Sequence, residues 1–299
     1  MMDMFPRNLP VFQSPELPEE IKTSKEGILV WPEGQTVPMQ ESTGSKLPAF
    51  NPYSATYHFI DLLNRGIKPV KWEVTSPQNW ITVSQTSNLL KTEYKLGVTI
   101  DWNKLPPGIL QGTLSISADD SIYNIKILVA PPIKGKIHGD PIVEQDGHIF
   151  IQANEYIKKK DYSKSRRWTA IEELGYSDSA CGILPSPETD TEKLRRAYLE
   201  YRFYTYSKGP AKITVFTLPT EPVNNKHGMR IAVSVDNSPK QIFSYKTKET
   251  SEQWKQNVLS NHARCHFNYN FSTPGWHTIK IYPWDPGVVL DQIMVNFNA

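Results

Sequence analysis

The strongest constraint on how this chain folds is a repeated period of two. From Ala55 onward, apolar and polar residues alternate in short runs broken by turn residues. Val70, Trp72 and Val74 alternate with Lys71, Glu73 and Thr75. Tyr57/Phe59/Asp61/Leu63, Ile81/Val83, Leu96/Val98/Ile100, Leu114/Ile116 and Ile125/Ile127/Val129 repeat the pattern. Successive side chains of a strand point to opposite faces, so such runs describe strands with one face buried and one wet. Asn64-Arg65-Gly66 and Pro106-Pro107-Gly108 supply turns between them, and Pro131-Pro132 ends the series. The spacing predicts a small immunoglobulin-like β-sandwich over residues 49–133.

A second strand-rich region begins after a Gly/Asp/Pro-containing link. Its runs are Ile149–Tyr156, Trp168–Leu174, Ala197–Tyr206, Lys212–Leu218, Met229–Asp236, Gln241–Tyr245, Arg264–Phe271, His277–Tyr282 and Val288–Phe297. That number of strands suits a jelly-roll or related two-sheet sandwich over residues 140–299. One helix is expected near Trp254 and Val258, with Thr250 as its N-cap, Gln253 three residues on, and Asn261 at its C-terminal end. Residues 1–48, rich in Pro, Glu, Ser and Thr, read as an extended linker wrapping over a surface, with one short strand at Gly27–Trp31. The expectation is an all-β chain of two sandwiches behind a linker. The 299 residues, about twice a typical domain, agree with two cores.

Composition removes several functions. Thirty-three Lys and Arg against 31 Asp and Glu leave a net charge of +2, which is no nucleic-acid footprint. No apolar run approaches the ~20 residues that span a bilayer, so no membrane partner is expected. Met1–Pro10 carries no apolar core of a secretory signal. Cys181 and Cys265 are too few for a disulfide framework and leave the redox compartment open. Gly-rich phosphate loops, the Gly-x-Ser-x-Gly elbow and His-Glu-x-x-His do not occur.

The string His262-Ala263-Arg264-Cys265-His266 has metal-ligand residue types but no second cluster to complete a site. It reads as residues alternating across a strand. Asp236 and Asp285 precede turn residues, where Asp bonds its own backbone, and neither they, Asp291, nor Glu172 and Glu173 form a recognisable acid/base pair. Aromatic residues are the remaining functional candidates, because a flat ring stacks on the apolar face of a sugar. Trp168, Tyr204, Tyr206, Trp276, Tyr282 and Trp284 all lie in the second region. Tyr204 and Tyr206 share a strand face. Trp276, Tyr282 and Trp284 share parity, although Pro283 breaks the register after Tyr282. Lys158-Lys159-Lys160 reads as a solvated face that, beside Arg166 and Arg167, could meet an acidic sugar.

Specific strings carry a resemblance. Lys71-Trp72-Glu73-Val74, Asn79-Trp80-Ile81-Thr82-Val83-Ser84, Val98-Thr99-Ile100-Asp101-Trp102 and Gly112-Thr113-Leu114-Ser115-Ile116 resemble the immunoglobulin-like domain of glycoside hydrolase family 115 and BACON-type sandwiches. Leu218-Pro219-Thr220, the run from Gly228 to Asp236, Asn257-Val258-Leu259, Gly275 with His277-Thr278-Ile279-Lys280-Ile281, and Asp285-Pro286-Gly287-Val288-Val289-Leu290 are similar to that family's C-terminal domain. The resemblance implies an accessory, non-catalytic portion of a xylan α-glucuronidase whose acid and base reside in an upstream barrel. It implies glucuronoxylan and the upstream catalytic domain as partners, and parent enzymes that are secreted or periplasmic. The second region is also similar to carbohydrate-binding modules of families 6 and 35, whose first strand uses Glu-Ala-Glu to help hold a structural calcium. Gln152-Ala153-Asn154 stands there instead, so a calcium would have to rely on Glu155, Asp291 or carbonyl oxygens, and no cofactor is expected. The competing readings are a purely structural module, including a homo-oligomerisation module, and an independent hydrolase.

Overall fold

The computed structural model describes residues 27–39, 44–106, 110–135, 137, 139–176, 179–187, 191–222, 227–248 and 250–298. Residues 1–26 and 40–43 of the expected linker and Pro107-Gly108 of one expected turn lie outside them. The chain divides into two units, one made of the residues up to Pro48 with Tyr57–Leu128, the other of Ala49–Thr56 with Val129–Ala299.

The first unit holds strands β1 (Ile28–Pro32), β2 (Ser45–Lys46), β3 (Tyr57–Asn64), β4 (Val70–Thr75), β5 (Ile81–Val83), β6 (Ser87–Leu90), β7 (Glu93–Ile100), β8 (Gln111–Ala118) and β9 (Ser121–Leu128). They form two sheets, ordered β1-β3-β7-β5 and β2-β9-β8-β4-β6. The short strand expected near Gly27–Trp31 is β1, antiparallel to β3. Alternation sets the core: Val70, Trp72, Val74, Leu96, Val98, Leu114, Ile116, Ile125 and Ile127 are all buried. In β3 the inward set is His58, Ile60 and Leu62, so Tyr57 and Phe59 face outward. At Gly112 a Cβ would stand 2.7 Å from the Trp80 ring, so only glycine fits beside that buried indole.

The second unit holds β10 (Ile142–Val143), β11 (His148–Gln152), β12 (Lys158–Lys160), β13 (Arg167–Glu172), β14 (Ser179–Leu184), α1 (Thr191–Leu194), β15 (Tyr198–Thr205), β16 (Gly209–Thr217), β17 (Arg230–Val235), β18 (Gln241–Ser244), α2 (Glu252–Leu259), β19 (Ala263–Phe271), β20 (Gly275–Pro283) and β21 (Val289–Asn296). One sheet runs β10-β15-β20-β17-β18 with β12 also on β15. The other runs β13-β14-β21-β16-β19 with β11 also on β21. Leu199, Tyr201, Phe203, Ile279, Ile281, Ile231 and Val233 of the first share one core with Ile149, Ile151, Ile213, Val215, Ile293 and Val295 of the second. This is a two-sheet sandwich, and the chain is all-β apart from two short helices among the described residues. The helix cap lies one residue later than expected. Ser251, not Thr250, accepts the Trp254 N–H at 3.2 Å, and Thr250 takes a positive φ of 60°.

Candidate functional site

Inward residues of β15 and β20 alternate with an outward row. On β15 the outward residues are Tyr198, Glu200, Arg202 and Tyr204; on β20 they are Trp276, Thr278, Lys280 and Tyr282. The antiparallel register sets Tyr204 opposite Trp276 and Glu200 opposite Lys280. β12 adds Lys158 opposite Glu200 and Lys160 opposite Tyr198. The outer face of this sheet is therefore a field of rings and charges.

At one end, Tyr204 sits edge-on between Tyr206 at 5.1 Å and Trp276 at 5.3 Å, ring centre to ring centre. The Arg202 guanidinium lies 4.1 Å over the Trp276 ring. Beside them opens a cleft of about 420 Å³, lined by Trp276, Arg202, Tyr156, Ile157, Glu155 and Asp140 among others. Glu144 holds this end in place. Its buried carboxylate accepts the Tyr206 and Ser207 N–H groups at 2.7 Å each and the Ser207 hydroxyl at 2.5 Å, while its own N–H donates to the Tyr204 carbonyl. Burial, with Tyr53 and Tyr204 nearby, pushes the Tyr206 phenol well above its usual range, so it remains a neutral hydroxyl.

At the other end, Tyr198 and Tyr282 tilt together at 5.7 Å. Lys240 lies 3.7 Å over the Tyr282 ring, and Lys280 lies 5.7 Å from the Tyr198 ring. Trp284 has left the strand and packs under the Arg195 guanidinium at 4.7 Å instead of joining Tyr282.

Of the six candidate rings, three converge: Tyr204, Tyr206 and Trp276. Tyr282 shares their sheet face farther along, and Trp284 stands apart. Trp168 is 2% exposed and belongs to the core, where no ligand reaches its ring. Residue type alone makes it a candidate platform, but it is the one buried residue of β13 and packs into the second sandwich's core. Tyr156 and Arg202 were missed as cleft residues. Arg202 could have been found, since it shares strand parity with Tyr204, but nothing local marks Tyr156.

The carboxylates have structural partners. Asp285, fully buried, accepts from Arg230 Nε at 2.6 Å and Nη2 at 2.7 Å, which raises the Arg230 guanidinium further. Asp236, at a positive φ of 49°, bonds His277 Nδ1 at 2.6 Å and the Thr278 N–H at 2.8 Å. The residues do not fit a calcium. Gln152 and Asn154 are neutral and exposed, Glu155 accepts the Gln152 N–H at 2.7 Å, and Asp291 accepts the Tyr176 N–H at 3.1 Å. No three His, Cys, Asp or Glu converge among the described residues. Ala263 and Cys265 point inward with Arg264 and His266 outward, as strand alternation requires. Cys181 and Cys265 are separate buried thiols, pushed up by burial to about 11 and about 12, and so are protonated at neutral pH.

Fold and face together define a two-sheet β-sandwich module with an aromatic, cation-rich outer face. The profile of the glycosyl hydrolase family 115 C-terminal domain matches residues 142–299, and that of the viral BACON domain matches residues 54–126. The chain belongs to the glycosyl hydrolase family 115 C-terminal domain family. Among solved structures, a family GH115 4-O-methyl-α-glucuronidase with specificity for decorated arabinogalactans is 23% identical over 56% of this chain and 19% of its own, with a TM-score of 0.36. The chain thus spans about a fifth of that enzyme's length. A family 35 carbohydrate-binding module from Clostridium thermocellum is 11% identical over 47% of this chain and 98% of its own, with a TM-score of 0.31. A carbohydrate-binding module from Cellvibrio mixtus lichenase 5A, solved with cellotriose, is 12% identical over 50% and 97%, with a TM-score of 0.32. No curated protein matches the chain.

Proposed function

We propose that this chain is an accessory, non-catalytic portion of a xylan-directed α-glucuronidase, working beside an upstream catalytic domain, and that its second sandwich binds glucuronoxylan. The observation carrying this reading is the open cleft where Trp276, Tyr156 and Arg202 meet next to Tyr204 and Tyr206. Family membership over the same residues supports it. Its volume of about 420 Å³ falls within the range typical of small-ligand sites. Rings at its wall offer apolar faces to a pyranose, and Asp140, Glu155 and Arg202 offer hydrogen-bonding groups at the rim. Tyr282 and Trp284 serve as outlying platforms in this reading.

Isothermal titration against glucuronoxylan, unsubstituted xylan and free glucuronic acid tests it. Saturable binding to the polysaccharide is expected, with Trp276→Ala weakening it about tenfold and Trp284→Ala weakening it less. No heat with any ligand, from a folded sample, would overturn the reading and leave a structural or oligomerisation module in its place.

A further inference from the structure

The outermost strands of a sheet carry N–H and C=O groups with no strand to pair with, and proteins blunt such edges because they template pairing with another chain. Most edges here are blunted. β2, β5, β6, β10, β12 and β18 are no longer than four residues. On β1 the Val30 carbonyl accepts the Met39 N–H at 2.8 Å, and on β11 the Gln152 N–H donates to Glu155 at 2.7 Å. On β13 the Asp161 carboxylate accepts the Trp168 N–H at 2.8 Å and the Lys159 ammonium donates to the Trp168 carbonyl at 2.9 Å. β19 is different. It runs for nine residues, against about 5–6 for a common strand, and β16 is its one strand neighbour. No other backbone group among the described residues bonds to it.

The composition of β19 does nothing to prevent pairing. Its outward residues Arg264, His266, Asn268 and Asn270 are exposed, and the strand holds no proline, no lysine and no inward charge. Of its inward residues, Phe267 and Tyr269 are only half-buried, and Phe243 of β18 stacks on Phe267 at 4.8 Å. Rings left partly wet at this edge gain by being covered. The partner follows from the strand itself, because β19 is complementary to its own reverse. A two-fold axis at Phe267 pairs all nine residues, setting Ala263 against Phe271, Cys265 against Tyr269, Arg264 against Asn270 and His266 against Asn268. Small side chains then oppose large ones on the inner face, and no like charges oppose on the outer. An axis at His266 leaves Asn270 and Phe271 unpaired and sets His266 against its own copy; an axis at Asn268 leaves Ala263 and Arg264 unpaired. Axes between residues would set inward side chains against outward ones, which antiparallel pairing does not allow.

We propose that two copies of this chain associate through β19, antiparallel and centred on Phe267, so that the β13-β14-β21-β16-β19 sheet continues into that of the second copy. The interface is isologous, so Arg264 meets the partner's Asn270 at one end and the same pair recurs at the other. Strand pairing supplies backbone hydrogen bonds and the half-buried rings supply apolar area, both over a small surface. The dimer is therefore weak, with a dissociation constant of about 10 μM. The inference does not rest on the carbohydrate reading, since β19 belongs to one sheet of the sandwich and the Trp276 cleft to the other.

Sedimentation of the whole chain from about 1 μM to about 500 μM tests it, with hydrogen exchange at both ends of that range as the structural readout. A monomer–dimer equilibrium is expected, and amides of β19 should exchange more slowly at the high concentration while those of β13 do not change. Asn270→Lys sets a cation against Arg264 at both ends and should weaken association about tenfold, and Asn270→Glu should strengthen it about fivefold. Arg264→Glu together with Asn270→Lys reverses the pair and should return association to within about twofold of the native chain. Within one chain position 264 faces Phe216 and position 270 faces Pro210, so these changes of charge act between copies. A chain that stays monomeric at every concentration would overturn the proposal and leave the edge to an extended peptide of another protein. A dimer indifferent to charge at 264 and 270, or one that protects β13 or β18 instead of β19, would place the interface elsewhere and overturn it equally.

Discussion

Arg230 and Asp285 show how unequal the two halves of one ion pair can be. The carboxylate is fully buried, whereas the Arg230 side chain keeps 37% of its surface in water. Removing the acid lets the guanidinium turn to solvent. Removing the arginine strands a charge where water cannot reach it, and an uncompensated buried charge costs about 3 kcal/mol or more. Arg230→Met is therefore expected to destabilise the second sandwich by about 3 kcal/mol and Asp285→Asn by about half that. In thermal denaturation the arginine variant should lose roughly 8 °C, at the ~2–4 °C per kcal/mol expected of a unit this size. An Asp285→Asn variant that melts lower than Arg230→Met would contradict the asymmetry. The same logic explains Glu144, whose burial is tolerable because two N–H groups and a hydroxyl meet its two oxygens. The rings at the cleft therefore rest on a fixed turn.

Elements differ in how plainly the sequence announces them, and the difference is physical. Strands such as β4 and β15 have one wet face and one dry face, so their alternation is visible. β14 was missed because Ser179, Ala180, Cys181, Gly182 and Ile183 are all buried, leaving no polar partner to mark a period of two. β12 was missed as a strand for the opposite reason, since three lysines show no contrast. The aromatic half of the candidate site was visible through the parity of Tyr204 with Tyr206 and of Trp276 with Tyr282. Its remaining walls come from Ile137, Asp140, Pro141, Ile142 and residues 155–157, all distant in sequence from Trp276. Helix α2 is a different case. Its cap pattern was readable, but none of its residues is buried, so packing contributes little to its stability. Ser251→Ala should cost the helix about 1 kcal/mol. Amide exchange across Glu252–Leu259 should speed up about fivefold while the melting temperature of the sandwich moves by less than about 2 °C. A fall in the global melting temperature larger than that would mean α2 is coupled to the core.

At the scale of the whole chain, sequence order and core membership do not coincide. Residues 49–56 precede the long strand β3 of the first unit yet belong to the second. Phe50 bridges to Val129 in parallel, and its carbonyl accepts the Ala130 N–H at 2.7 Å. Asn51, fully buried, donates from Nδ2 to the Glu144 carbonyl at 3.3 Å, accepts the Tyr53 N–H at 2.9 Å, and exchanges both backbone bonds with Ala55. The second sandwich is thus completed by a piece of chain that lies between β2 and β3 of the first. A substitution here should act on the distant unit and spare the neighbouring strand. Asn51→Ala leaves the Glu144 carbonyl without its side-chain donor and releases the Tyr53 turn, at a cost of about 2 kcal/mol. Because Glu144 also anchors Tyr206, the loss reaches the edge of the ring cluster. Residue-resolved hydrogen exchange separates the two units. Globally exchanging amides of β15, β20 and β21 should exchange about thirtyfold faster, as 2 kcal/mol requires, while those of β3, β7 and β8 remain within about twofold of the native chain. Equal acceleration in both sets would show that the stretch 49–56 supports both cores, and acceleration confined to β3 and β7 would assign it to the first.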